Sequence, residues 1–193
     1  MQMPEVKVSA PRSISPLLAT HDDRPSLASL VFGPIGLDEA LDLNRQWHST
    51  LPHLDKRVAG WICYAAGCDG HRFAVAVWGR PVARLLPQDG SCLELRRFAI
   101  APAAPRNTAS RMLGWMVRDL ARSCGATRLI SYHDCDAHAG TIYKAAGWVP
   151  TPAPSGGAWN HPGRPRSARR ITRKIRWEKY VVSDSGGRLA QAA

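Results

Sequence analysis

The sequence predicts an α+β domain, a mixed sheet flanked by helices, and three observations predict it. Two apolar runs, residues 58–66 and 72–78, are joined by Gly67-Cys68-Asp69-Gly70, whose Asp-Gly step is a β-hairpin signal. Residues 92–120 read as a strand, a proline break and an amphipathic helix. A further apolar strand over 126–132 and a short helix over 140–148 follow directly.

Taken in order, residues 1–25 carry Pro4, Pro11, Pro16 and Pro25 with no sustained period, which predicts a flexible arm ahead of a domain over 26–180. Residues 26–32 read as a first strand stopped by Gly33-Pro34. Leu37, Ala40, Leu41, Asn44 and Trp47 then share one helical face, with Asp38 and Glu39 in the first turn where the helix dipole favours them. His48 and His53 lie in the loop that follows. Imidazoles titrate near neutrality, so they suit acid-base or metal-binding work, and equally they suit a solvated loop.

The hairpin and a connection over 81–90 lead to the central strand, which carries Glu94, Arg96 and Arg97. Pro102 and Pro105 end it. Asn107, Thr108 and Ser110 offer oxygens for an N-terminal cap, and Met112, Leu113, Met116, Val117 and Leu120 recur at helical spacing. A helix N-terminus fed by a strand presents free N–H groups and a positive dipole end, a place for phosphate, although an ordinary strand-loop-helix connection has the same pattern. The short helix stops at Gly147. Residues 150–163 are rich in Pro, Gly and Ser and read as loop.

Beyond them Arg164, Arg166, Arg169, Arg170, Arg173, Lys174 and Arg176 surround Ile171, Ile175 and Trp177 in the pattern of a strand with one basic face. Phosphates could lie along that face, with Trp159 and Trp177 stacking a base. A basic edge strand that discourages aggregation is the other reading. Residues 181–193 are polar and are expected to be a disordered tail.

The whole chain sets consistent bounds. Its 193 residues, 45% hydrophobic, fit one domain with a real core. No apolar run reaches bilayer length and the N-terminus has no secretory core, so a cytoplasmic protein without a membrane partner is expected. Five cysteines without Cys-x-x-Cys spacing argue against a disulfide framework or structural zinc. A net charge of +11 attracts polyanions, DNA first among them, although a solvated basic tail would carry the same surplus.

The order strand, capped helix, strand and short helix ending Tyr143-x-x-x-Gly147-Trp148 resembles the GCN5-related N-acetyltransferase superfamily. Arg96-Arg97, residues 106–110, 130–134 and 140–147, with Trp47-His48 and His53 upstream, resemble more closely the Mom family of phage DNA-modification proteins, divergent members of that superfamily. The resemblance covers about residues 26–180, and the basic segment with Trp159 and Trp177 resembles the tail of a sister group.

The resemblance implies a twisted, mostly antiparallel sheet of six to seven strands, splayed at the central strands, and an acyl-CoA donor. It implies a cofactor site at Ala99, Ile100, Arg106, Asn107, Thr108, Ala109, Ser110 and Arg111. The superfamily loop has Gln or Arg and a Gly where this chain has Ala104 and Asn107; only Ala109 fits the pattern, and Asn tolerates the left-handed backbone of the missing Gly. His48, Arg97, Ser110, Asp134 and Tyr143 are the catalytic residues it implies, with Glu94 in a general-base position and Tyr143 protonating the leaving thiolate. Mom-like proteins place a carbamoylmethyl group on adenine. Acetyl-CoA alone does not provide that group, which brings in iron held by His48, His53 and Asp134. Two other readings stand beside a DNA-base acyltransferase: an acetyltransferase for a small-molecule or protein amine, and an inactive nucleic-acid-binding module.

Overall fold

A computed structural model describes residues 25–54, 60–151 and 173–181. Seven strands form one sheet: β1 (Val31–Pro34), β2 (Ile62–Cys68), β3 (His71–Gly79), β4 (Cys92–Ile100), β5 (Arg128–Asp134), β6 (Val149–Thr151) and β7 (Lys174–Tyr180). Among the described residues three α-helices flank it: α1 (Leu37–Trp47), α2 (Thr108–Cys124) and α3 (Thr141–Ala145). The spatial order is β1-β2-β3-β4-β5-β7-β6, and only β4 and β5 run parallel. The mixed, mostly antiparallel sheet is therefore as expected, and α2 is the crossover that a parallel pair requires.

The sheet buries a different residue set on each face. Tyr64, Trp78, Leu93, Leu95 and Leu129 pack against Met112, Leu113, Met116, Val117 and Leu120 of α2, whose apolar stripe recurs every three to four residues. On the other face Cys63, Val75, Val77 and Ala99 pack against Ala40 of α1. The β2–β3 turn closes with Asp69 and Gly70 both at positive φ, the geometry an Asp-Gly hairpin needs.

Three expectations about elements are corrected. Residues 27–29 form a 3₁₀ turn capped by Ser26, so the first strand starts only at Val31. The side-chain oxygen of Ser26 competes for the local backbone and holds the turn instead of a ladder. Val149–Thr151, whose residues 150 and 151 were expected as loop, is an edge strand on β7, where Pro150 is tolerated because its missing N–H faces no further partner. The last strand begins at Lys174 and runs to Tyr180, beyond the alternation that suggested it. Residues 1–24 of the arm expected over 1–25, residues 182–193 of the tail expected over 181–193, and the segments 55–59 and 152–172 lie outside the described residues, among them the start of the strand expected over 58–66.

β4 and β5 pair only from Cys92↔Arg128 to Leu95↔Ser131, after which Arg96–Ile100 stay on β3 while Tyr132–Asp134 stay on β7. The two central strands splay apart there, as the sequence resemblance implied. A bulge drives the separation: Leu95 faces Trp78 and Arg97 faces Val77, so Arg96 is an extra residue with no partner of its own.

Candidate functional site at the splayed strands

On the α2 side, the splay opens onto a cavity of about 230 Å³ lined by Ile100, Pro105, Asn107, Thr108, Ala109, Ser110, Thr141, Ile142 and Ala145. Asn107 precedes α2 with φ 66° and ψ 6°, the left-handed turn expected of it. The expected side-chain cap is not made. The Thr108 hydroxyl donates to the Pro105 carbonyl (2.7 Å) and the Ser110 hydroxyl to the Asn107 carbonyl (3.1 Å), so both oxygens act as donors to the turn. No side chain caps the first-turn amides of α2, whose N-terminus borders the cavity.

Arg111, grouped with the cofactor residues by sequence, turns away from that cavity. Its guanidinium donates to the Leu27 carbonyl and lies 5.8 Å from the centre of the Phe32 ring, tying the chain ahead of β1 to α2. Arg106 is exposed in the turn before the helix. Ala99 is corrected as well: the Ala101 amide bonds the Phe73 carbonyl on β3, so strand alternation points the Ala99 amide to β3 also. By the same phase the amides of Phe98 and Ile100 point into the splay. Phe98 was missed, although a period of two counted back from Ile100 would have selected it.

Tyr143 of α3 reaches the base of the splay. Its hydroxyl shares a hydrogen bond of 2.8 Å with Ser131, the last β5 residue paired to β4, and burial raises its pKa, keeping the phenol protonated. Its ring stacks on Trp177 at 5.4 Å and meets Trp148 edge-on. Trp177 itself is buried, with its indole N–H on His133 Nδ1 at 2.6 Å, so the expectation that it stacks a base is overturned. Gly140 is needed here: a Cβ would stand 2.6 Å from the Trp177 ring, and φ is +68°.

The α1 side is polar. The Arg96 bulge puts Arg96 and Arg97 on this one face, together with Glu94. Glu94 is buried, not on a solvated face as strand statistics suggest; it accepts the Val82 N–H (2.8 Å) and pairs with Arg96 (3.3 Å). Burial raises its pKa above the ordinary 4.5, against the opposing pull of the Val82 amide and the Arg96, Lys174 and Arg97 charges.

Arg97 organises the histidine loop. It donates to the carbonyls of Leu51 (3.1 Å) and His53 (2.6 Å), while Asn44 of α1 holds the carbonyls of Leu51 and Pro52. His48 accepts the Leu51 amide at Nδ1 (3.2 Å) and the Thr50 amide at 3.4 Å, so its neutral ring carries the proton on Nε2. Burial, then Arg97 and His138, lower its pKa. His48 is thus a neutral donor at pH 7.

The expected metal set is not assembled. Among the described residues no three His, Cys, Asp or Glu side chains stand close enough to hold an ion. His48 Nδ1 is spent on the loop amides, His53 is exposed with its carbonyl taken by Arg97, and Asp134 accepts the Asp136 amide at the end of β5. These residues do not fit an iron ion.

The basic face is also narrower than expected. Arg176 is held by Glu178 (2.7 Å) and Thr151 (3.1 Å), which leaves Arg173 and Lys174 as its exposed cations within β7 and the residue before it. Trp159, Arg164, Arg166, Arg169 and Arg170 lie outside the described residues.

The protein-family model for the Mom protein family matches residues 29–156. The chain belongs to the Mom family. No curated protein matches its sequence. Among solved structures it resembles a Bacillus subtilis acetyltransferase in complex with CoA, at TM-score 0.54 and 14% identity over 79% of this chain and 98% of that one. It also resembles yncA, a putative acetyltransferase from Salmonella typhimurium with acetyl-CoA, at TM-score 0.57 and 12% identity over 84% and 99%. A third is spermidine N-acetyltransferase from Vibrio cholerae in complex with CoA and spermine, at TM-score 0.56 and 9% identity over 79% and 96%. At these identities the likeness establishes the acetyltransferase fold. No described helix of this Mom-family chain is long and apolar enough to cross a membrane.

Proposed function

We propose that this Mom-family protein is an acyltransferase that moves an acetyl group from acetyl-CoA to an amino group of a DNA base; a carbamoylmethyl group joins through CH2 and needs a donor other than a thioester carbonyl. The carrying observation is the two-sided splay, with uncapped helix amides on the α2 side and a buried carboxylate of raised pKa on the α1 side. Family membership and the +11 charge favour DNA as the acceptor.

In this reading the cofactor's pyrophosphate takes the N-terminus of α2 beside Ala109 and Ser110, and its thioester arm runs along β4 into the splay. Ser110 then binds rather than reacts. The acceptor nitrogen enters from the α1 side and attacks the acyl carbon, forming the N–C bond. The amides of Phe98 and Ile100 face the carbonyl oxygen as it gains charge. Glu94 takes the nitrogen's proton, and collapse breaks the C–S bond. Tyr143, kept neutral by burial, gives its proton to the departing thiolate, and Ser131 holds the hydroxyl in place. Arg97 and Asn44 act through the loop they brace, which sets His48 Nε2–H toward the acceptor side.

Mass spectrometry of nucleosides from DNA co-expressed with the protein tests this. A new nucleoside is expected, absent with His48→Ala and with Glu94→Gln, and its mass increment distinguishes acetyl from carbamoylmethyl. Unchanged nucleosides, in hosts with and without aminated bases, would overturn the assignment to DNA.

A further inference from the structure

Strand alternation divides β5 into two uses. Ser131 and His133 face α3, where they bond Tyr143 and Trp177. Tyr132 therefore faces the opposite, α1 side. It is the first β5 residue beyond the last β4 pair, Leu95↔Ser131, so no β4 residue covers its β4 flank. Arg176 lies opposite it on β7, and Arg176 and Glu94 are both near enough to act on its hydroxyl electrostatically. The residue is half-buried, on the stretch of β5 that has left β4.

That placement gives an aromatic surface beside the Glu94 carboxylate, with Arg96 and Lys174 at its margin. We propose that Tyr132 is the stacking platform for the acceptor nucleobase, holding an unstacked base over the splay with its amino group toward Glu94. The inference rests on the DNA-base reading above. A base taken out of its stack loses contacts on both faces, and one aromatic ring restores one of them without reading sequence. Burial raises the Tyr132 hydroxyl's pKa, so the ring stays a neutral phenol and serves as a surface, not as a base.

A binding experiment keeps this separate from the transfer reaction. A single-stranded oligonucleotide carrying 2-aminopurine is titrated with the wild-type protein and with Tyr132→Phe and Tyr132→Leu. Stacking on Tyr132 quenches 2-aminopurine emission. The quench and the affinity are expected to survive in Tyr132→Phe, while Tyr132→Leu loses the quench and binds about tenfold more weakly. Protection of both variants by CoA against heat should match wild type, which a merely structural residue would not allow.

If Tyr132→Leu fails to fold, Tyr132→Trp replaces it, with the added indole emission expected to fall on saturation with oligonucleotide. Equal quenching in wild type and Tyr132→Leu, an unresponsive indole at 132, or no binding by wild type each overturns the proposal. Unmodified nucleosides together with a Tyr132-dependent quench would instead overturn only the transfer reaction.

Discussion

Glu94 and Glu178 stand in one cross-strand row, each paired with Ile130 between them, yet the two ends of that row behave oppositely. Both are buried, at 6% and 3% exposure, on the same face about 10 Å apart by strand spacing. Glu178 sits between Arg128 at 2.8 Å and Arg176 at 2.7 Å, and despite burial its pKa is lowered by their hydrogen bonds and charge. Glu94 has one ion-pair partner, Arg96 at 3.3 Å, and burial wins. One additional close cation is what separates a structural carboxylate from a poised one. Glu178 locks β5, β6 and β7 together, and Glu94 stands beside the splay able to take a proton.

The largest expected effect breaks the poised end. Glu94→Gln should lower kcat/KM by roughly 10² to 10⁴, the span usual for loss of a general base, with affinity for CoA unchanged. Gln still accepts the Val82 amide, so the loop beyond β3 stays docked. Stability should move the other way. A carboxylate whose folded pKa is raised loses its stabilising share as pH rises from 4.5 through that raised value, so the Gln variant should equal or exceed wild type in denaturant melts at pH 8. Full activity in Glu94→Gln would remove the general-base assignment.

Glu178→Gln should reverse that pattern. Losing the charge leaves Arg128 and Arg176, each about one-fifth exposed, facing a neutral group, and destabilises by about 3 kcal/mol. Because its folded pKa is lowered, the carboxylate's contribution is full above 4.5 and is lost as pH falls through the folded value. Urea melts of wild type and variant should therefore converge at acid pH and stay apart at pH 7. Activity in the folded fraction should hold, since Glu178 touches neither opening of the splay.

How much of this row was legible in sequence follows from what each feature depends on. α1 was predicted residue for residue because its apolar stripe repeats locally, and the left-handed turn at Asn107 because Asn tolerates it. The splay was expected through family resemblance. The Arg96 bulge was not, because it exists only relative to β3. Glu94 was singled out for its position, but its burial depends on Val82 arriving from the loop over 80–91, which no periodicity reports. Arg176 and Trp177 were misassigned for one reason: their partners, Glu178 apart, lie 25 to 44 positions away, at Thr151, Tyr143 and His133. Pairings of that range are set by the sheet register and leave no local mark.

The smallest expected effect tunes the row without breaking it. Arg96→Met removes the cation that most directly opposes burial at Glu94, so the Glu94 pKa should rise further. Since the base works only when ionised, the acid limb of the kcat/KM profile should move to higher pH. Activity should fall a few-fold along that acid limb and recover on the plateau above it, about the size expected for one partly exposed ion pair. The Arg96 guanidinium also lies 5.7 Å from the centre of the Trp61 ring, and Met keeps an apolar contact there, which confines the change to charge. An unmoved acid limb would mean that Glu94 does not set it, and a limb moved to lower pH would mean that Arg96 carries the essential charge itself.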